Sequence, residues 1–208
     1  MPEIGIFIVA STLLALAPGP DIIYVLTRAV SQGRKAGIAA ALGFATGCIF
    51  HTVLAAVGVA ALIRSSELAF DIVRYAGAAY LVWIGIQALR HRSSFSVEGA
   101  SDARALATIY KQSVIGNILN PKVTLFFLAF LPQFVNAQAG NIGLKMTILG
   151  VVFMGVTIVV FGAVAIFAAM IGDWVRRKPA IGERLNVFAG ITFIALGIRV
   201  ALPDLTSK

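Results

Sequence analysis

Leu16-Ala17-Pro18-Gly19-Pro20-Asp21 interrupts the first apolar segment of the chain, and Asn117-Ile118-Leu119-Asn120-Pro121-Lys122 interrupts the fourth. Both segments are long and oily enough to cross a membrane. Each carries a helix breaker beside one ionisable residue, and the two charges have opposite sign. A charge inside a bilayer costs at least about 2.5 kcal/mol, so it marks a pathway or a site. A proline removes the donor for the carbonyl four residues before it, and in a membrane only a protein-lined cavity can satisfy that carbonyl. Two interrupted helices in corresponding places point to a transporter's binding site.

The surrounding composition agrees. Of 208 residues, 59% are hydrophobic and 12% charged, and the mean hydropathy is +0.93. A soluble core of this size would not absorb so much apolar surface. The chain therefore reads as an all-α, polytopic integral membrane protein of one domain, 1–208. Its net charge of +8 would suit nucleic acid, but the basic residues sit in short loops between apolar spans, so no nucleic-acid partner is expected. Cys48 is the one cysteine, which excludes an intramolecular disulfide. Ala15-Leu16-Ala17 has the look of a signal-peptide cleavage site. The segment before it holds Glu3 and no Lys or Arg, and the apolar run resumes at Ile22, so we read a retained first helix.

Six apolar windows are expected as spans, at 4–27, 37–63, 68–90, 112–135, 146–171 and 185–202. Breaks fall at 18–21 and 120–122. The connection 91–110 is polar, and its end, Ala105 to Tyr110, fits a short interfacial helix. Three helices per half is an odd number, so a repeat of about 1–90 by about 111–208 must be inverted in the membrane.

Lys and Arg set the orientation. The first loop holds Arg28, Arg34 and Lys35; the third holds Arg90, Arg92, Arg104 and Lys111; the fifth holds Arg176, Arg177, Lys178 and Arg184. These outnumber Arg64, Arg74, Lys145, Arg199 and Lys208 on the other side, with Lys122 inside a span. Loops one, three and five are expected in the cytoplasm and both termini outside. Asp71 and Arg74 are placed to pair at the outer start of the third span.

At the first break, Pro18 and Pro20 leave the carbonyls of Leu14 and Leu16 without helical donors. Gly19 lets the chain turn. Asp21 then sits at a half-helix N-terminus, where an anion is favoured. The competing reading is a kink with Asp21 at the inner interface, but Asp is too short to snorkel well. At the second break, Pro121 frees the carbonyl of Asn117. Asn117 and Asn120 offer amide donors, and Lys122 brings a positive charge halfway through the membrane. Its long stem also suits snorkelling.

His51, near the centre of span two, fits either proton coupling or a hydrogen-bonded structural role. Cys48 fits a small packing residue. Gly33, Gly37, Gly43 and Gly47 read as close helix packing, within one protomer or between protomers of a homo-oligomer. Tyr80, Trp83 and Gln87 fit a cavity wall, although a core place suits Tyr80 and Trp83 better. Trp174 fits an interfacial anchor.

At these residues the chain resembles the lysine-exporter family of bacterial amino-acid efflux carriers, particularly its homoserine/threonine-resistance branch. The resemblance covers nearly the whole chain. It is carried by Ala17-Pro18-Gly19-Pro20-Asp21, by Asn120-Pro121-Lys122 with Phe126-Phe127 and Leu131-Pro132-Gln133-Phe134, and by Gly77-Ala78-Ala79-Tyr80-Leu81 with Gly85. It implies a six-helix inner-membrane exporter of amino acids or close derivatives, driven by the proton gradient. Asp21 and Asn120-Pro121-Lys122 match the family's most recognisable positions.

The expectation is a secondary carrier for a small zwitterion. Asp21 would hold the ammonium or a proton, Lys122 the carboxylate, and Asn117 and Asn120 neutral hydrogen bonds. When the site is empty, Asp21 and Lys122 would pair with each other. No cofactor and no metal site are expected. A divalent-metal exporter is one alternative; it has only Asp21 and His51 to use, against an opposing Lys122. An intramembrane enzyme is another, and one Asp plus one His supports it thinly.

Overall fold

The computed structural model describes residues 4–17, 19–59, 61, 66–90, 103–135, 140–168 and 179–202. These residues form α-helices and no strand. Helix α1 is Ile4–Leu16 and α2 is Pro20–Gln32. Helix α3, Arg34–Val53, continues as a π-helical stretch, Leu54–Val59. Helix α4 is Glu67–Arg90, and α5 is Leu106–Ile118. Helix α6, Pro121–Leu125, runs on through a π-helical turn at Phe126–Phe130 and a 3-10 turn at Leu131–Phe134. Helix α7 is Ile142–Ile166, and α8 is Pro179–Ala201.

Both breaks lie where the prolines place them. The α1–α2 pair is bent by 59° and the α5–α6 pair by 47°. Pro20 and Pro121 each take the first position of the second half-helix, where a missing N–H costs nothing. Asp21 and Lys122 therefore hold the same second position in α2 and α6. Counting each bent pair as one, five spans among the described residues are long and apolar enough to cross a bilayer. The sixth predicted span lies in α8, whose apolar stretch is Gly190–Ala201. Each half thus runs in one order: a bent pair, then two further helices. Helices α3 and α7 pack together, as do α4 and α8.

Several expectations need correction. The loop between the first two spans reduces to Gly33, with φ at 87° between α2 and α3. This glycine serves a turn rather than packing, because a Cβ there would meet nothing within 4 Å. Arg28, counted as a loop charge, is buried in α2 and bonds Gln32 at 2.9 Å. The interfacial helix expected at 105–110 is instead the first turn of α5, which runs unbroken from Leu106. Helix α7 starts at Ile142 rather than 146 and ends at Ile166. Trp83 is not in the core but 52% exposed on the outer face of α4. Trp174, Pro18 and residues 91–102 lie outside the described residues.

Two apolar clusters build the interior. The first gathers the aromatic side chains of α1 and α6 with α7, among them Phe7, Phe126, Phe127, Phe130 and Phe153. Phe126 lies 4.9 Å from Phe130 and 5.2 Å from Phe153, ring centre to ring centre. The second is lined by α2, α3 and the end of α7, with Phe44 edge-on to Phe161. The two breaks lie at the junction of these clusters.

Candidate functional site at two crossed helix breaks

The first break offers carbonyls at the end of α1 and N–H groups at the start of α2. Pro18 cannot donate to Leu14, and the ammonium of Lys122 takes that carbonyl at 3.3 Å. It takes the Ala17 carbonyl at 3.3 Å as well. A cation at the negative end of a half-helix is favourably placed. The Leu16 carbonyl, also freed on paper, is not the one chosen. A Cβ on Gly19 would come within 3.0 Å of the Lys122 ammonium, so this glycine lets the lysine approach.

The second break is satisfied in the same manner. Pro121 cannot donate to Asn117, and Nε2 of His51 donates to that carbonyl at 3.0 Å. The Asn120 amide N–H shares it at 2.9 Å. Asn120 caps α6, its Oδ1 accepting from the Lys122 amide at 3.0 Å. Its Nδ2 donates to Asp21 Oδ1 at 2.8 Å, and Asn117 Nδ2 reaches Asp21 Oδ2 at 3.4 Å. The amides of one break thus hold the carboxylate of the other.

Asp21, Asn117, Asn120, Lys122 and His51 all come together and are buried. Asp21 and Lys122 make no direct ion pair, which corrects the expected pairing. The carbonyls of α1 already draw the ammonium, while the Asn amides and the α2 N-terminus hold the carboxylate. Two buried acceptors are left over: Asn117 Oδ1 and His51 Nδ1 have no hydrogen-bond partner. With Nε2 donating to a carbonyl, Nδ1 of a neutral His51 is a bare lone pair.

Asp21, Asn117 and Lys122 share a cavity of about 10 Å³, the room one water molecule needs. Leu14, Val123 and Phe153 reach it from the first apolar cluster, and Ala15 and Phe161 from the second. Thr157 of α7 supplies a further polar group on its wall.

The sequence reading missed Thr157, since a threonine in an apolar helix carries no distinctive signal. It grouped Gly47 with general packing. A Cβ on Gly47 would come within 2.6 Å of Asn117 Cβ, so this glycine places Asn117 in the site. Gly37 and Gly43 pack within the protomer, against Ala165 and Ser113.

Known proteins resemble the chain along nearly its whole length. The homoserine/homoserine lactone efflux protein of Salmonella typhimurium is 33% identical over 195 residues, 94% of each chain. Its Salmonella typhi counterpart is 32% identical over the same length and share. A protein of Vibrio cholerae described as an uncharacterized membrane protein is 32% identical over 196 residues, again 94% of each chain. No solved structure matches. Residues 12–203 match the LysE type translocator family, and with its bent, charged spans the chain belongs to that family of membrane transport proteins.

Proposed function

We propose that this chain exports a small zwitterionic amino acid or close derivative across the bacterial inner membrane, by proton antiport. One observation carries the reading: the carboxylate of Asp21, the ammonium of Lys122 and the amide of Asn117 line one cavity. An ammonium has three donors. Lys122 spends two on Leu14 and Ala17, which leaves one for a substrate carboxylate. The substrate ammonium would sit between Asp21 and Asn117 Oδ1, giving that oxygen its missing donor. Asn120 would hold Asp21 in place and keep α6 capped.

The two Salmonella relatives are named for homoserine and its lactone. Both molecules carry an ammonium, and only homoserine has a free carboxylate. Asp21 would bind what they share, while Lys122 would donate to a carboxylate or to a lactone carbonyl.

The cavity has room for a water and not for an amino acid. In this mechanism the two breaks part to admit substrate. A proton arriving at Asp21 from outside would displace the substrate ammonium, and Nδ1 of His51 offers a second place for a proton. The halves would act as inverted repeats, 1–90 and 111–208, rocking about the crossed breaks, with both termini outside. A divalent-metal cargo is disfavoured by the Lys122 ammonium in the same cavity.

Vesicles containing the purified protein test this. A proton gradient should drive uptake or release of labelled L-homoserine, and Asp21→Asn should abolish most of it at matched protein content. Transport by Asp21→Asn at the normal rate would overturn the mechanism.

A further inference from the structure

Helix α7 faces the charged groups across the cavity. Phe153, Thr157 and Phe161 follow one another at intervals of four and form its wall there. Asp21, Asn117 and Lys122 come from α2, α5 and α6 and form the charged wall. If those three hold the ammonium and carboxylate, α7 supplies the wall open to the substituent on the substrate's α-carbon, and Thr157 is the one further polar side chain on the lining among the described residues. This step rests on the export reading above.

Thr157 is 3% exposed. Its hydroxyl proton is committed to the Phe153 carbonyl at 2.9 Å, so what Oγ1 can offer a ligand is an acceptor. Its side-chain neighbour from α3 is Cys48, whose own thiol proton is turned to the Phe44 carbonyl at 3.4 Å. Phe153 and Phe161, one turn to either side, are apolar and limit bulk.

We infer that Thr157 is a specificity-determining residue, its hydroxyl oxygen selecting substrates whose short side chain ends in a hydrogen-bond donor over isosteric aliphatic ones. L-Homoserine has such a side chain, and L-norvaline has the same number of heavy atoms with a methyl in place of the hydroxyl. A pocket that accepts from the hydroxyl disfavours the methyl, because the oxygen then stays buried without a donor.

The test measures transport of both labelled amino acids in vesicles holding the wild type, Thr157→Val, Thr157→Ala or Thr157→Ser. The wild type should prefer homoserine. Thr157→Val keeps the shape and drops the acceptor, so the homoserine-to-norvaline ratio should fall about tenfold, mainly through loss of homoserine transport. Thr157→Ala carries the same expectation should the valine variant fail to insert. Thr157→Ser restores the acceptor and should restore the ratio. Transport of both amino acids with a ratio that neither variant moves would overturn the inference and leave the export reading standing. Wild-type vesicles that move neither amino acid would overturn both.

Discussion

The ammonium of Lys122 bonds the main-chain carbonyl of Leu14, the very carbonyl that Pro18 leaves without a helical donor. Its counterpart at the other break is the bond from His51 to the carbonyl of Asn117, which Pro121 leaves free. In each case a nitrogen from another span fills the vacancy. The breaks are therefore braced across the bundle, and the groups that brace them are also those that titrate or carry charge. A carrier built this way cannot open at the site without disturbing these bonds.

Lys122→Met should cost more than a lost charge. The Leu14 and Ala17 carbonyls would both lose a donor in a dry place, at about 1–3 kcal/mol for each unsatisfied group. Asp21→Asn keeps the shape but leaves the ammonium without its nearby carboxylate. Both should lose most export at matched expression. Because Lys122 bonds carbonyls rather than Asp21, the double variant Asp21→Asn with Lys122→Met should recover only part of the lost stability, and none of the export. Thermal unfolding in detergent, read beside vesicle transport, separates these outcomes.

Pro121→Ala should raise local helicity and lower function. The new N–H would compete with His51 for the Asn117 carbonyl and draw α5 and α6 toward one straight span. Loss of Asn117 from its place beside Asp21 follows. The expected result is normal or increased thermal stability with at least about tenfold slower transport, a factor worth about 1.4 kcal/mol of barrier. Full transport in Pro121→Ala would show that the bend is incidental.

Much of this site was legible in the chain because proline's effect is local. The rule that a proline strips the donor from the residue four before it picks out Leu14, Leu16 and Asn117 with no structure at all, and side chains of other spans reach the first and the last. What fills those vacancies is a tertiary matter: the chain alone pairs Lys122 with Asp21 and gives His51 no partner, whereas the lysine bonds the Leu14 and Ala17 carbonyls and the histidine that of Asn117. The charge count treated Arg28 as loop, since apolarity fades at 28–36, yet the helix persists to Gln32 and buries that arginine. Gly33 and Gly47 look alike as letters. One has a backbone angle open to glycine, and the other has a neighbour where a methyl would go.

Orientation has its own check. In a Cys48→Ser background, Lys35→Cys at the start of α3 should react with a membrane-impermeant thiol reagent only when the cytoplasmic face is exposed. Asn141→Cys, just before α7, should react in intact cells whose outer membrane has been made permeable. The basis is the excess of Lys and Arg in the odd-numbered loops. The reverse labelling pattern would invert the topology, and with it the side from which the proposed antiport brings a proton to Asp21.

Gly47 and Gly155 give a paired test of how closely α3 must hold the site. A methyl on Gly47 would lie 2.6 Å from Asn117 Cβ and 2.7 Å from its Oδ1. Something has to move, and Asn117 is the group in the way. Overpacking of this kind costs about 1–3 kcal/mol, and here the strain falls on the side chain that holds Asp21 and lines the cavity. Gly155 on α7 is the control, because a Cβ there meets nothing within 4 Å. Gly155→Ala should be neutral or should stabilise by about 0.5–1 kcal/mol, through reduced freedom of the unfolded chain. Gly47→Ala should lower the unfolding temperature and slow transport beyond what the loss of folded protein explains, with weaker apparent affinity for L-homoserine. Equal transport per folded molecule in the two variants would detach Asn117 from substrate binding and leave Asp21 and Lys122 to act alone.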